Sequence, residues 1–572
     1  MAEPTIQLGG GNWAGKTDNL LGYYKEGERF YKQEFTFSRS TTGTYTDSDG
    51  YIQEMPYNLL TYSEDFSEWV TQSGGTGSAP IITSNSAISP DGTQNADKIV
   101  FNKGTGVSTS DLSVIASSSF TTQTNTASFY IKADSPQKIV FRNSTNWQLV
   151  DVTTEWQRID KTDTGNGVQV GLRDGYGISG VPNTATIYLW GFQAVKGTSA
   201  KTYFPTTTRL NMPRVDYLNN SNGSLILEPQ RTNLITYSED FSQSYWTKQN
   251  SSIVSNNAIS PDGSLNADKI IATATNSSHS AFVSLSSSTS SGTSYCYSFF
   301  AKAKEYTKTA IRIGGSGYST QPMAVINLLN GSVVSQQGFI SLSIKDFSNG
   351  WYKINAVFTA TSSVAPNIQP IADGFTTTSD NYTYNGDGTS GIYIWGAMFE
   401  QGSYPTSIIN TSGSSVTRNA DACELTNVAD RIGQTEGTMF LDFVLDSVDG
   451  TLDFRFQLYG NNSVNNWVFV GMTNGDIRAY VNDTTNQFDS SFSGVVGTRY
   501  KLALAYKEND FAFYANGIQK SVSTSGTIPS LDSVSLGDSV TSANMVVKES
   551  VNQAQIYNTR LSNSELATLT TI

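Results

Sequence analysis

Across 572 residues there is one histidine, His279, and there are two cysteines, Cys296 and Cys423. The lone imidazole sits in the polar run NSSHSAF with no carboxylate or nucleophile beside it, so Ser-His-Asp and Cys-His devices are not expected and a solvated loop residue is the plain reading. The two thiols fall in different modules of the chain, which leaves no disulfide framework in view, and neither sits at a metal-ligand spacing. Charge is sparse as well, at 15% of residues. No run of Lys and Arg could neutralise a phosphate backbone, and the net charge of -13 favours solubility rather than a nucleic-acid partner. No stretch approaches the roughly 18 to 20 apolar residues of a membrane span, and MAEPTIQLGGGNWAGKTDNLL lacks the basic region and apolar run of a signal peptide. The expectation is folding in a cytoplasm without insertion into a bilayer.

What is plentiful is Ser, Thr, Asn and Gly, with aromatics at 12%. This balance suits many short strands joined by polar turns, and helix-period apolar patterns are scarce throughout. The fold class expected is all-β. The length exceeds what one core serves, so three or four domains are expected.

Internal repeats fix the organisation. NLLTYSEDF at 58–66 returns as NLITYSEDF at 233–241, each followed by a Trp, at Trp69 and Trp246. NSAISPDGTQNADKIV at 85–100 returns as NNAISPDGSLNADKII at 256–271, and TIYLWGFQ from 186 answers GIYIWGAMFEQ from 391. In the Pro-Asp-Gly turn, Pro supplies the fixed φ and Gly the positive one. The closing strand alternates, with Ile187 and Leu189 on one face and Tyr188 and Trp190 on the other, so both faces are apolar and one must meet something besides its own core. Turn signals every 8 to 12 residues or so point to two-sheet sandwiches, jelly-roll-like, at 58–205 and 233–415. Residues 1–57 and 206–232 read as hairpin-bearing segments. Residues 416–572 use another vocabulary of alternating strands, ending in a short helix-like stretch at 562–569.

That last region, with its Tyr-x-Leu-Ala-Leu-Ala-Tyr strand, its FAFYANG run at 511–517 and IYNTRLSNSEL at 556–566, resembles the laminin-G or concanavalin A-like lectin sandwich. Asn516-Gly517 is a tight-hairpin signal in its own right. The duplicated modules, with the SPDGTxxADK phrase, the run SLILEPQRTNLITYSEDF at 224–241 and the exit SYPTS...GSSVTRNAD, look like the carbohydrate-binding-module-like repeats common in phage tail and other virion proteins. The resemblance implies a virion surface component, a tail or head fibre, made in a host cytoplasm and contacting surface glycans. It also implies a homo-oligomer, trimeric by analogy with fibres, joined to other virion proteins through the N-terminal segment, which matches neither sandwich and is expected to order on the particle or within an oligomer. A capsid decoration protein with weak glycan adhesion is the alternative, and a glycan depolymerase a further one.

Sugar recognition uses aromatic platforms with amide and carboxylate groups around them. Trp69, Trp147, Trp246 and Trp467 lie in polar company and are the binding candidates, set against core packing; Trp190 and Trp395, inside strongly apolar strands, suit a core or a seam better. No catalytic residue is expected. The pairs Glu64/Asp65 and Glu239/Asp240 invite a glycosidase reading, but neighbours on a strand point to opposite faces, and their repetition suits a turn or cap. A structural calcium could use Asp91, Asp97, Asp262 and Asp268, or Asp476 and Asp510 in the last region, against side chains that only cap turns. No other cofactor is foreseen.

Overall fold

The computed structural model describes residues 2–572 except 11–13, 17–18, 27–28, 40, 56–57, 118, 121, 197, 201–202, 204, 207–211, 348, 373, 379–381, 448–453, 461–464, 474 and 538–548. The protein is all-β. Among the described residues one α-helix, Asn563–Leu569, follows the strands, opened by a capping box in which Ser562 and Glu565 satisfy each other's backbone N–H.

The first module packs two antiparallel five-stranded sheets. Its front sheet runs Asn146–Val152, Gln137–Asn143, Val168–Arg173, Leu112–Ala116, Val70–Gly74; its back sheet runs Gln157–Gly165, Gln123–Lys132, Thr184–Lys196, Ala96–Asn102, Ser78–Ala87. Alternate residues of both meet in a core of Ile99, Phe129, Ile139, Phe141, Val170 and Phe192, with Phe129 and Phe192 stacked 4.6 Å apart. The second module repeats this order with six strands per sheet, gaining Ser332–Gln337 on one and Ser341–Asp346 on the other.

The repeated phrases are the pins of this fold. Asn58 donates to Phe192 O and accepts from Leu60 N and Ala194 N. Asn233 does the same with Ala397 O, Ile235 N and Phe399 N, so each opening phrase is tied to the closing strand. Asp97 takes backbone bonds from Phe66 N and Asn85 N, both 2.9 Å, and Asp268 from Phe241 N and Asn256 N at 2.9 and 3.0 Å. Burial holds both carboxyls above the usual range, Asp268 at about 6, although four charge-favouring backbone bonds in the two copies oppose it.

The C-terminal region does not close alone: the N-terminal segment, expected to order on the particle or within an oligomer, pairs within the chain itself. Strand Ile6–Gly9 pairs with Glu549–Tyr557 in the register Ile6↔Ile556, and Ser224–Leu227 of the inter-module hairpin pairs with the other end of that strand, Leu225↔Val551. Arg29–Ser38 pairs with Ala422–Leu425, and Gln7↔Tyr23 joins the two layers. The hydrogen-bonded strands form one closed circuit, and Ile6, Leu8, Phe35, Phe37, Leu225 and Leu227 enter the same core as Phe443, Phe456 and Leu504. The two modules are thus excursions from a scaffold built of both ends of the chain.

Where the excursions leave and return, five charged side chains are sealed from solvent. Asp421 accepts from Arg39 at 2.9 Å and Arg214 at 2.5 Å, and Glu228 accepts from Arg214 at 2.8 Å and is ion-paired with Arg418 at 2.9 Å. Burial pulls the Arg39 guanidinium down to about 10. Such a cluster is costly to desolvate, and removing one member leaves the others charged and unmatched, at about 3–5 kcal/mol; it therefore specifies one arrangement of four segments.

His279 is buried, not a solvated loop residue: its ring lies 4.6 Å from that of Tyr384, and Nδ1 is 2.5 Å from Asn250 O. A local polar run gives no sign that two distant loops close over it. Cys296 and Cys423 are buried free thiols. Among the described residues no helix is long and apolar enough to cross a membrane.

Candidate functional site

Trp69 and Trp246 are corrected from sugar platforms to core. They are 6% and 1% exposed, and their indole N–H groups donate to the carbonyls of Tyr62 and Tyr237 at 3.1 and 3.0 Å. A buried ring has no face left for a sugar; the polar company belongs to the turn around it.

Trp147 is placed differently. Val150 and Val152 of its strand enter the core, so by the period of two Trp147 points out of the front sheet. There it stands opposite Arg142, which stands opposite Gln169. The Arg142 and Arg173 guanidiniums lie 5.3 and 5.7 Å from the Trp147 ring centre. Tyr176, 59% exposed, has its ring 6.2 Å from Trp147 at 30° and 5.0 Å from Arg173. Arg173 donates to Tyr176 Oη at 3.2 Å and Thr109 O at 3.1 Å, and Gln169 to Gln72 Oε1 at 3.3 Å. Gly171 lies on the outward row between them, opposite Val140, where a Cβ would meet Ser113 O. Arg142 Nε and Gln169 Oε1 are buried without a hydrogen-bond partner. Burial, then the neighbouring Arg173, holds the Arg142 guanidinium below its ordinary value.

This cluster of aromatic, cationic and amide groups was missed from sequence apart from Trp147. A signal was present: Lys138-x-x-x-Arg142 and Lys308-x-x-x-Arg312 repeat at equivalent strand positions, the second Arg opposite Asn367. On the second module, however, the face is roofed. Tyr382, 1% exposed, and Phe375 pack over Ala310, Val325 and Ile371. Lys308 ties the roof down through Phe375 O at 2.9 Å, and Tyr384 Oη donates to Pro370 O at 2.7 Å.

Trp467 projects from the C-terminal sheet opposite Tyr459 and Asn482, half-buried, with the Arg455 guanidinium 5.9 Å from its ring. A cavity of about 310 Å³ lies where the hairpins, the second module and the C-terminal scaffold meet, lined by Tyr45, Asp216, Phe300, Lys345 and Lys353. Its lysines are engaged, Lys353 with Thr406 O at 2.8 Å and Lys345 with Asn219.

The calcium candidates are corrected to turn caps and ion pairs. Asp91 accepts from Ser89, Thr93 and Asn95, and Asp262 from Ser260, Ser264 and Asn266. Asp97 and Asp268 hold the backbone bonds already described, Asp476 accepts from Ser493 Oγ, and Asp510 pairs with Arg560 at 2.8 Å. No three His, Cys, Asp or Glu side chains gather to hold a metal among the described residues. Asp65 caps the 3-10 turn Phe66–Glu68, and Asp240 accepts from Ser242 N in the same way, while Glu64 is bonded to Tyr203 and Asn95.

No protein-family model and no curated protein matches the chain. Among solved structures, it is similar to the CBM40 of a Ruminococcus gnavus IT-sialidase bound to α2,3-sialyllactose, at 17% identity over 24% of this chain and 84% of that one, TM-score 0.22. It is also similar to the tandem CBM22-1–CBM22-2 of Paenibacillus barcinonensis Xyn10C, at 11% identity over 64% and 100%, TM-score 0.20, and to domains LG4-5 of the mouse laminin α1 chain, at 10% over 50% and 86%, TM-score 0.20. Scores and identities this low carry no functional argument.

Proposed function

We propose that the chain is a non-catalytic, glycan-binding component of a bacteriophage virion, a fibre-type appendage of tail or head at the particle surface. The observation that carries the binding part is the outward cluster of Trp147, Tyr176, Arg142, Arg173 and Gln169 on the first module: two rings 6.2 Å apart offer an apolar surface, and amide and guanidinium donors beside them can fix hydroxyls. The virion part rests on the repeated phrases around 224–241 and their likeness to virion repeats. With the N-terminal strands committed to the scaffold, docking to the particle falls to another surface, and a homotrimer is the assembly fibres favour.

A glycan array probed with the whole chain tests the binding part. Retention of no glycan sinks it, and loss of retention in Trp147→Ala supports it. Cryo-electron microscopy of the producing particle tests the rest: density at the tail marks an adsorption fibre, density on the shell a head fibre or decoration protein, and none on any particle removes the virion reading. A depolymerase would shorten a polymer on incubation, which this proposal says will not happen.

A further inference from the structure

Resting on the glycan-binding reading, we infer that the front face of the first module takes a sugar bearing an anionic group, carboxylate or sulfate, and that the same face of the second module takes none.

The argument is one of unmatched charge. The chain carries 49 acidic against 36 basic residues, and its three buried arginines at the scaffold junction each meet a carboxylate. Arg142 and Arg173 break that habit. Both converge on one indole ring, and neither forms an ion pair among the described residues. The nearby acids are spent elsewhere: Asp151 on Lys138, Asp174 on Lys103, Asp163 on Asn146. Stacking on Trp147 and Tyr176 orients the guanidiniums but does not neutralise them. Two like charges beside one ring are stabilised by an anion between them, and the planar fork of donors suits the oxygens of a carboxylate or sulfate. The sugar ring would lie toward Tyr176, the exposed half of the aromatic pair.

On the second module the sheet face beside the equivalent Arg312, at Ala310 and Ile371, is covered by Phe375 and Tyr382, and this roof narrows the room for a ligand. One of two sandwiches therefore binds.

The test is titration calorimetry of the whole chain with oligogalacturonate, its methyl ester, sialyllactose, lactose and a sulfated galactan fragment. At least one charged probe should bind roughly 10-fold or more tightly than its neutral partner and weaken with salt. Arg142→Gln and Arg173→Gln should each lose about 10-fold or more, while Arg312→Gln leaves affinity unchanged, with unfolding curves confirming that all three variants fold. Which probe binds separates carboxylate from sulfate. Equal binding of charged and neutral partners, with Arg142→Gln silent and Trp147→Ala defective, overturns this inference and leaves the glycan-binding reading standing. Loss of binding in Arg312→Gln overturns the assignment to the first module. Absence of binding to these probes and to every sugar on a broad array overturns both.

Discussion

The two modules share their hidden bonds and differ in what they show to solvent. Asn58 and Asn233, Asp97 and Asp268, and Trp69 and Trp246 make the same contacts in each copy. Yet one front sheet presents Trp147 and Tyr176, and the other is closed by Tyr382 and Phe375. Duplication has kept what folds the sandwich and let its face diverge. The phrases most alike in sequence are thus the least informative about binding, because an alignment finds pins before it finds sites.

This contrast can be broken at several levels. The largest effect is expected from Trp69→Ala and Trp246→Ala, each costing its own module about 3–5 kcal/mol. Hydrogen exchange read module by module checks this, and a mild loss in either would mean that the two tryptophans are not equivalent. Next, Tyr382→Ala should cost the second module about 3 kcal/mol and, combined with Phe375→Ala, should uncover the sheet face at Ala310 and Ile371, beside Arg312. A second, weaker glycan site in calorimetry would show that the roof alone separates the copies.

A smaller effect comes from Asp268. Its folded pKa of about 6 lies above that of an unfolded Asp near 3.9, so the folded state holds the proton more tightly. The stabilising contribution is whole below about pH 3.9 and lost as pH rises through 6, on the order of 2–3 kcal/mol. An NMR titration midpoint near 6, and a pH dependence of the second module between 4 and 7 that vanishes in Asp268→Asn, would match. The smallest change is expected for Tyr176→Phe, which removes one hydrogen bond to Arg173 and should weaken glycan binding a few-fold, about 1 kcal/mol, with stability untouched.

The all-β class was legible because turn chemistry and strand alternation are local. The repeated phrases were legible for the same reason. The scaffold was not: Ile6 meets Ile556, and nothing near either residue encodes a partner so distant along the chain. Trp147 was visible as an aromatic in polar company, and so were Trp69 and Trp246, because alternation tells which residues share a face but not which face is covered. Arg142 and Arg173 went unnoticed since each is an ordinary charged strand residue until the sheet brings both to one ring.

The strand Glu549–Tyr557 is flanked by Ile6–Gly9 and Ser224–Leu227 on one edge and Glu436–Val444 on the other. During synthesis, the first strand, paired early only through Gln7 and Tyr23, therefore waits for Glu549–Tyr557 before its main partner exists. The sandwiches can mature as they emerge, while the frame that carries them waits for Glu549–Tyr557. A truncated product would retain folded modules on an open frame with exposed strand edges, which invites aggregation. A protease nick in a loop of either module would leave both halves of the chain clasped together by the frame.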